Sequence, residues 1–246
     1  MDINQKIAKE KMMKRTLRGV SLISGGASTC LRVIQEENPG GALWSVSETV
    51  AVIASTDDVS GIQNLKDIGY PADDIHVVNP KNGYFATKLL MFLDKYKPDF
   101  FHQLGWMPLT PDEIMDQYVG LNQHLGPGGK WMYGVRRVYA HMRFCQEVGR
   151  IIPISVFCQF VDPVYDAGKV LSIRNIDLDF SKTPEQNAEM LLPIEHEVQI
   201  AGRMELFFDK SPSDAQLVPN IAKSLREEEI LFAMKKEARD KYPPES

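Results

Sequence analysis

The sequence has few cysteines, no long apolar run and no excess of positive charge. Only three cysteines occur among the 246 residues, Cys30, Cys145 and Cys158, and their spacing pairs none of them. Scattered cysteines of this kind indicate reduced thiols and argue against a cysteine-based metal site. All three are therefore predicted to be ordinary core or surface residues.

The balance of charge and hydropathy excludes two classes of partner. The formal net charge is −5, which gives no bulk attraction to nucleic acid or to anionic lipid. No apolar stretch approaches the ~20 residues that a membrane span needs, and the charged N-terminus lacks the apolar region of a signal peptide. We therefore expect a cytoplasmic protein that acts on a small molecule, with neither nucleic acid nor a membrane as partner.

The histidines do not form a metal-binding pattern. His76, His102, His141 and His196 are isolated, and the sequence contains no HxH or HxxxH pair. No metal is therefore expected. The fifth histidine, His124, differs because Asn122 lies two residues before it and a glycine-rich stretch follows it.

Apolar strands alternate with amphipathic helices in the first part of the chain. The stretches GVSLIS, ETVAVIAST, DDIHVVN and PDFFHQLG have the apolar character of buried strands. The segments between them carry apolar residues at the spacing of amphipathic helices. This alternation predicts an α/β domain of the Rossmann-like, doubly wound type, with a mostly parallel sheet and flanking helices. Two later apolar stretches, 151–161 and 169–178, predict a strand pair around a polar turn.

The same pattern divides the chain into three parts. Residues 1–18 are predicted to form an N-terminal helical arm, 19–205 the α/β domain and 206–246 a helical C-terminal extension. A helix is predicted to begin after Thr183 and Pro184, because both residues suit a helix N-terminus. The C-terminal extension has two possible roles: it could pack on the α/β domain, or it could mediate assembly of a homodimer.

Two stretches could bind or transform a ligand. Residues 25–29 form a glycine-rich turn between a strand and a helix, where backbone N–H groups could hold a phosphate, although such turns also use glycine for steric reasons alone. Asn122 and His124 follow the apolar YVGL, so strand alternation directs both side chains to one face, near the ligand-binding edge of the sheet. The amide could donate to an oxyanion and the imidazole could move a proton, whereas a structural role is the alternative for a single histidine.

A third candidate is the polar turn between the later strands. It contains Asp162 and Asp166. A carboxylate close to the imidazole of His124 would raise its pKa and could accept a proton during a reaction. Aspartate is also a common turn former, so both residues have a structural interpretation as well.

These motifs occur in an order typical of one enzyme family. The stretches are ISGGAST, QLGWMPLT, NQH, GGKWMYG, YDAG and IEHE. Through them the chain resembles the folate-dependent formyltransferases, and among these the glycinamide ribonucleotide transformylases of purine synthesis, over about residues 19–200. The resemblance implies the formyltransferase fold, 10-formyltetrahydrofolate as formyl donor, a small-molecule amine as acceptor, and no metal.

The resemblance also assigns roles to individual residues. Asn122 and protonated His124 would stabilise an oxyanion, and Asp166 would organise proton movement from the attacking amine to the leaving nitrogen. Glu195 would lie near the amine end of the acceptor. The residues implied to hold the acceptor's phosphate are Gly26, Ala27, Ser28 and Thr29. The residues implied to hold the folate are Trp106, Met107, Pro108, Leu109, Thr110 and Asp162.

The chain departs from the family pattern around the acceptor. Ala27 and Thr29 replace a glycine and an asparagine, Pro108 replaces an arginine, and the segment after His124 is shorter. Tyr139 and Gln159 stand where the family carries histidines. These changes leave three further interpretations open: a different amine acceptor such as an amino sugar nucleotide, hydrolysis of 10-formyltetrahydrofolate, and a folate- or nucleotide-binding module without catalysis.

Overall fold

A computed structural model describes residues 15–211 and 215–243 of the chain. The strands are β1 (Leu17–Ile23), β2 (Ser47–Ala54), β3 (Ile75–Val77), β4 (Phe100–Gln103), β5 (Val119–Leu125), β6 (Ile154–Phe160), β7 (Lys169–Ile176) and β8 (Gln216–Leu217). The helices are α1 (Ser28–Glu36), α2 (Ser60–Asp67), α3 (Phe85–Tyr96), α4 (Asp112–Met115), α5 (Val135–Val148), α6 (Pro184–Phe207) and α7 (Leu225–Lys241), with a 3₁₀ turn at Ala72–Asp74.

All eight of these strands form one mixed sheet. Its order is β3-β2-β1-β4-β5-β6-β7-β8. The first five strands in this order are parallel, whereas β5, β6, β7 and β8 pair in an antiparallel manner. The predicted α/β fold with a mostly parallel sheet is confirmed, and the carboxyl ends of β1, β4 and β5 meet at one edge.

Helices cover both faces of the sheet. On one face, α1, α2, α5 and α6 pack over two apolar clusters, one around Val33 and Phe207 and the other around Val138 and Val198. On the opposite face, α3 and α4 pack over a third cluster, to which Leu89 and Ile114 belong. The strands β1, β2 and β4 are therefore mostly buried on both sides, which explains the apolar character of their sequences.

The long helix α6 begins where the sequence predicts. Thr183 is its N-cap and Pro184 its first residue. The Thr183 side chain accepts a hydrogen bond from the Gln186 backbone N–H, and the Gln186 side chain accepts one from the Thr183 backbone N–H. This capping box satisfies two N–H groups at the helix start.

The predicted part boundaries differ from the observed elements at both ends. Most of the predicted N-terminal arm, residues 1–14, lies outside the described residues, and its last two residues, Leu17 and Arg18, belong to β1. The predicted boundary after residue 205 lies inside α6, which ends at Phe207. The C-terminal extension contains the helix α7, and it also supplies β8, whose two residues pair with β7.

Helix α5 was not predicted from the sequence. Its buried residues include Arg136, Tyr139 and His141 as well as aliphatic side chains. One side of α5 packs on α6, and another side packs on α7 through Tyr139, Ala140 and Ala238. Helix α5 therefore lies between α6 and α7 and is covered on two sides.

A buried ionic cluster joins α6 to the sheet. Arg203 is fully buried, and its guanidinium donates to Glu37 Oε1 (2.6 Å), to Ser21 Oγ (3.1 Å) and to His102 Nδ1 (3.2 Å). The carboxylate of Glu37 also accepts the backbone N–H of Thr49 (2.9 Å). Burial lowers the pKa of His102 well below its ordinary value, and the nearby Arg203 acts in the same direction. His102 is therefore a neutral member of a structural cluster.

The cysteines are free and buried. Burial raises the pKa of the Cys30 and Cys158 thiols to about 12, so neither is a reactive thiolate at neutral pH. Residues 15–211 and 215–243 contain no group of three or more His, Cys, Asp or Glu side chains that could hold a metal ion. Among the helices in these two ranges, none is long and apolar enough to cross a membrane.

Candidate active site

Strand β5 carries polar side chains on both faces of the sheet. Asn122 and His124 point to one side, where both contact Asp166, and Gln123 points to the other side, where it contacts Glu195 of α6. Side chains therefore alternate along this strand, as predicted for Asn122 and His124. Strand β5 is longer than the predicted YVGL and includes Asn122, Gln123 and His124. One strand thus presents polar groups to two separate spaces.

Asp166 holds Asn122 and His124 together. Its Oδ1 accepts a hydrogen bond from Asn122 Nδ2 (3.2 Å) and lies 3.1 Å from His124 Nδ1. Its Oδ2 accepts the backbone N–H of Gly129 (2.8 Å). The His124 and Asp166 side chains are only 6% and 9% exposed, so these contacts are largely shielded from solvent. The structure therefore brings together the three residues predicted to be catalytic.

The backbone at Asp166 is unusual. Its φ of +56° lies in the left-handed region, which favours glycine. Non-glycine residues in this region carry a conformational cost of order 1–3 kcal/mol, and such residues cluster at functional sites. The turn thus holds Asp166 in a conformation that directs its carboxylate at β5, whereas Asp162 accepts the N–H of Val164 (2.9 Å) within the turn.

The catalytic candidates line a cavity of about 1210 Å³. Its wall also contains the segment predicted to hold folate, from Trp106 to Thr110, together with Asp162. Two polar atoms on the buried wall, Trp106 Nε1 and Gln159 Oε1, have no hydrogen-bond partner among the described residues. A buried donor and a buried acceptor of this kind are available to a ligand.

The predicted phosphate-binding turn lines a smaller, adjoining cavity of about 280 Å³. Gly26, Ala27, Ser28 and Thr29 form one side of it, and Glu195 forms the other. Residues shared by the two cavities include Gly25, Gly105, Gln123 and Arg137. Every residue predicted for the site therefore lies at one of two neighbouring cavities on the same sheet edge.

Four residues that complete this arrangement, Gln123, Gly128, Arg137 and Lys235, were not predicted from the sequence. Gln123 Nε2 donates to Glu195 Oε2 (2.6 Å), and Arg137 Nη2 lies 4.0 Å from the same oxygen. Lys235, from α7, donates to the carbonyl oxygen of Gly128 (2.6 Å) next to Asp166. Two of them lie in motifs noted from the sequence, Gln123 within NQH and Gly128 at the start of GGKWMYG.

Known proteins similar to this chain were found by sequence and by structure. A chloroplastic phosphoribosylglycinamide formyltransferase of Arabidopsis thaliana is 25% identical over 186 residues, which cover 72% of this chain and 61% of that protein. The enzyme of that name from Glycine max is 22% identical over 190 residues, 76% of this chain and 62% of that protein. No protein-family model matches the chain.

The solved structures agree with these sequence matches. The phosphoribosylglycinamide formyltransferase of Brucella melitensis superimposes with a TM-score of 0.62 at 23% identity, covering 80% of this chain and 98% of that protein. Glycinamide ribonucleotide transformylase 1 of Geobacillus kaustophilus superimposes with a TM-score of 0.64 at 16% identity, covering 78% and 100%. The chain is a relative of the phosphoribosylglycinamide formyltransferases.

The extent of the match differs between the two comparisons. The chain spans about three-fifths of the length of the curated plant formyltransferases. By contrast, it covers the Brucella formyltransferase almost completely, and about a fifth of this chain has no counterpart in that structure. The resemblance to the formyltransferases stated from the sequence is confirmed, as is the fold that it implied.

The protonation of His124 differs from the one that the formyltransferase resemblance implied. Burial, with smaller contributions from Arg137 and Lys235, lowers its pKa to about 4, against the opposing effects of Asp166 and the backbone of Pro127. The imidazole is therefore neutral near pH 7. Because Nδ1 faces the Asp166 carboxylate, we assign the proton to Nδ1. Nε2 then presents a lone pair, and it has no partner among the described residues.

We expect the ring of His124 to titrate near pH 4 in the free protein, well below an exposed histidine. NMR titration of the ring protons measures this directly. Asp166→Asn removes the anion that raises this pKa, so the midpoint should move lower still. A midpoint near 6.5 in the wild-type protein would contradict the assignment of a buried, neutral imidazole.

The lowered pKa of His124 also makes the stability of the protein depend on pH. Between pH 6.5 and about 4 the unfolded chain binds a proton at His124 and the folded protein does not, so stability falls as the pH decreases through this window. The slope is about 1.4 kcal/mol per pH unit for one such group. His124→Gln should therefore lose less stability than the wild type between pH 7 and pH 5 in urea unfolding.

Proposed function

We propose that the protein transfers a formyl group from 10-formyltetrahydrofolate to an amine, with glycinamide ribonucleotide as the acceptor. One observation carries the proposal: Asn122, His124 and Asp166 are in mutual contact on a wall of the large cavity, beside the smaller one. A reaction between two molecules needs adjoining spaces with the reacting groups at their border. The names of the relatives support the same chemistry.

The large cavity fits a folate. Its volume, about 1210 Å³, exceeds that of a drug-sized ligand site. The buried indole of Trp106 supplies a flat apolar surface and an unpartnered N–H donor, and the buried Gln159 supplies an unpartnered acceptor. A pterin ring has flat faces and an edge of donors and acceptors that suits such a wall. When bound, 10-formyltetrahydrofolate would supply the formyl group.

Each of the three polar side chains has a distinct part in this proposal. The Asn122 amide donates one hydrogen to Asp166, which leaves the second free to donate to an oxygen that gains negative charge. His124 Nε2 accepts the proton that the acceptor amine loses. Asp166 fixes the Nδ1–H tautomer of His124 and stabilises the imidazolium that results. No covalent bond to the protein is required.

This assignment changes the role of His124 relative to the sequence-based expectation. A histidine with a pKa of about 4 is neutral when it meets a substrate at pH 7. It therefore begins as a base and becomes a cationic donor only after it has accepted the proton. Both halves of proton transfer, from the amine and to the leaving nitrogen, can then pass through the Nε2 atom.

The smaller cavity suits a phosphorylated acceptor. Ala27 has a φ of +60°, a left-handed conformation that glycine adopts more readily. Ala27 therefore adopts the backbone conformation expected for the glycine that the family pattern has at this position. The N–H groups at the start of α1 stay available to an anion. We propose that Gly26, Ala27, Ser28 and Thr29 hold the phosphate, and that Glu195 faces the amine end of the acceptor.

The test is an assay with purified protein, 10-formyltetrahydrofolate and glycinamide ribonucleotide, with release of tetrahydrofolate followed by absorbance. We expect turnover only when the acceptor is present. Turnover without an acceptor would identify a hydrolase instead. Turnover with an amino sugar nucleotide in place of glycinamide ribonucleotide would move the function to another acceptor, and folate binding without any turnover would make the protein a binding module.

A further inference from the structure

A single peptide group of the glycine-rich stretch is held by opposite charges on its two sides. The unit between Gly128 and Gly129 contributes the carbonyl of Gly128 and the N–H of Gly129. Its oxygen accepts a hydrogen bond from Lys235 Nζ (2.6 Å), and its N–H donates to Asp166 Oδ2 (2.8 Å). The ammonium of Lys235 and the carboxylate of Asp166 are therefore connected through one peptide bond.

This connection requires close approach of the backbone to Asp166. A Cβ atom added at Gly128 would lie 2.5 Å from the Cβ of Asp166, and Gly129 has a φ of +113°, where a side chain is strained. The two glycines allow the peptide to lie flat against the aspartate. Side chains at these positions would separate Gly129 N from Asp166 Oδ2.

Lys235 is held in place by the packing of α7 on α5. Ala238, one turn along α7, is fully buried against this contact. The Glu237 carboxylate accepts hydrogen bonds from the Tyr139 hydroxyl and from Arg143 Nε. Further along, Arg136 Nε donates to the carbonyl of Tyr242. The lysine thus projects from a fixed helix.

Lys235 is half-buried, and this partial shielding from solvent increases its effect on the peptide. Burial lowers the pKa of Lys235, and the carboxylate of Asp166 opposes this decrease. A cation at the carbonyl oxygen polarises the peptide group and makes its N–H a stronger donor, because hydrogen bonds in a chain reinforce one another. The N–H bond to Asp166 Oδ2 is then stronger than an ordinary backbone bond.

We propose that Lys235 is a positioning residue of the formyl-transfer site, which acts on Asp166 through the Gly128–Gly129 peptide. The inference rests on the proposed function. With Oδ2 held by this peptide, Oδ1 of Asp166 stays directed at Asn122 and His124. The motifs shared with the formyltransferases end near Glu195, so α7 adds to the site from outside them.

The first test compares three variants of the full chain. Lys235→Met removes the ammonium but keeps a long side chain, Lys235→Arg keeps a cation, and Lys236→Met is the control, because Lys236 is the exposed neighbour on the same helix. We expect Lys235→Met to lower kcat of formyl transfer about tenfold or more with little change in KM, since a hydrogen bond to a charged group is lost. Lys235→Arg should recover most of the rate, and Lys236→Met should match the wild type.

The second test does not depend on activity. In the free protein, the NMR signal of the Gly129 amide proton should lie downfield and the proton should exchange slowly, as expected for a strong, partly buried donor. Lys235→Met should shift it upfield and speed its exchange, while Lys236→Met should leave it unchanged. If the wild type transfers no formyl group, the proposed function fails, and this measurement still tests the link between Lys235 and Asp166.

Two results would overturn the inference. One is full kcat in Lys235→Met. The other is an unchanged Gly129 amide in that variant, which would show that any lost activity came from a general loosening of α7. A fall in melting temperature with normal kcat at a lower temperature counts against the inference in the same way, because it describes a purely structural lysine.

Discussion

Asp166→Asn is expected to lower kcat of formyl transfer about 10³-fold or more while folate binding persists. The carboxylate accepts hydrogen bonds from Asn122 Nδ2 and from the N–H of Gly129, and its Oδ1 lies 3.1 Å from His124 Nδ1. An asparagine amide offers one acceptor oxygen and places its NH₂ group against at least one of these donors. His124 then loses both its fixed tautomer and the anion that stabilises its protonated form.

The measurement pairs initial rates with a binding titration of the same protein. Asp179→Asn is a matched control, because Asp179 also accepts backbone and hydroxyl hydrogen bonds within a turn, from Ser181, but lies outside both cavities. We expect the control to keep wild-type kcat. A rate in Asp166→Asn above one-tenth of the wild-type rate would remove Asp166 from the proposed mechanism.

The residues that the sequence identified share a position in the fold. Asn122 and His124 lie at the carboxyl end of a parallel strand, and Asp166 lies in the turn after the strand that pairs with it. Strand alternation and the general location of ligands in α/β sheets are local rules, and they are sufficient to place such residues at one edge. Their mutual contact was implied by the family resemblance, and the described geometry agrees with it.

The residues that the sequence did not identify depend on contacts between distant segments. Lys235 lies in a helix of alternating charges, LREEEILFAMKKEARDK, where any lysine is expected on the solvated face. It becomes part of the site only because α7 packs on α5, itself unpredicted. Gln123 and Arg137 likewise gain their meaning from Glu195, 72 and 58 positions further along the chain. No local pattern carries such information.

Arg203 is a second example, and its removal is expected to have the largest effect on stability. Arg203→Met should lower the free energy of unfolding by about 3–5 kcal/mol, because it leaves a buried charge without its partner. The side chain of Arg203 is fully buried and that of Glu37 is 9% exposed. The methionine fills much of the aliphatic volume, so the loss measures the missing charge and hydrogen bonds more than a cavity.

A double variant separates these two causes. Glu37→Gln removes the carboxylate that Arg203→Met leaves unpaired, and glutamine can still accept the backbone N–H of Thr49. We therefore expect the double variant with Arg203→Met and Glu37→Gln to be more stable than Arg203→Met alone. If the two substitutions acted independently, their losses of stability would add and the double variant would be less stable. Urea unfolding midpoints give the comparison. Equal or greater destabilisation in the double variant would contradict the view that an uncompensated carboxylate causes the loss.

The exposed pair of Arg174 and Glu197 provides the matched control for burial. Its side chains are 54% and 57% exposed, and surface ion pairs of this kind contribute no more than about 1 kcal/mol. Arg174→Met removes the same guanidinium from a helix-to-strand contact in solvent, so its unfolding midpoint should stay close to the wild type. If the two arginine variants lost similar stability, the effect of Arg203 would not come from its burial. A large difference would instead locate the cost in the desolvated carboxylate of Glu37, which joins α6 to the amino end of β2.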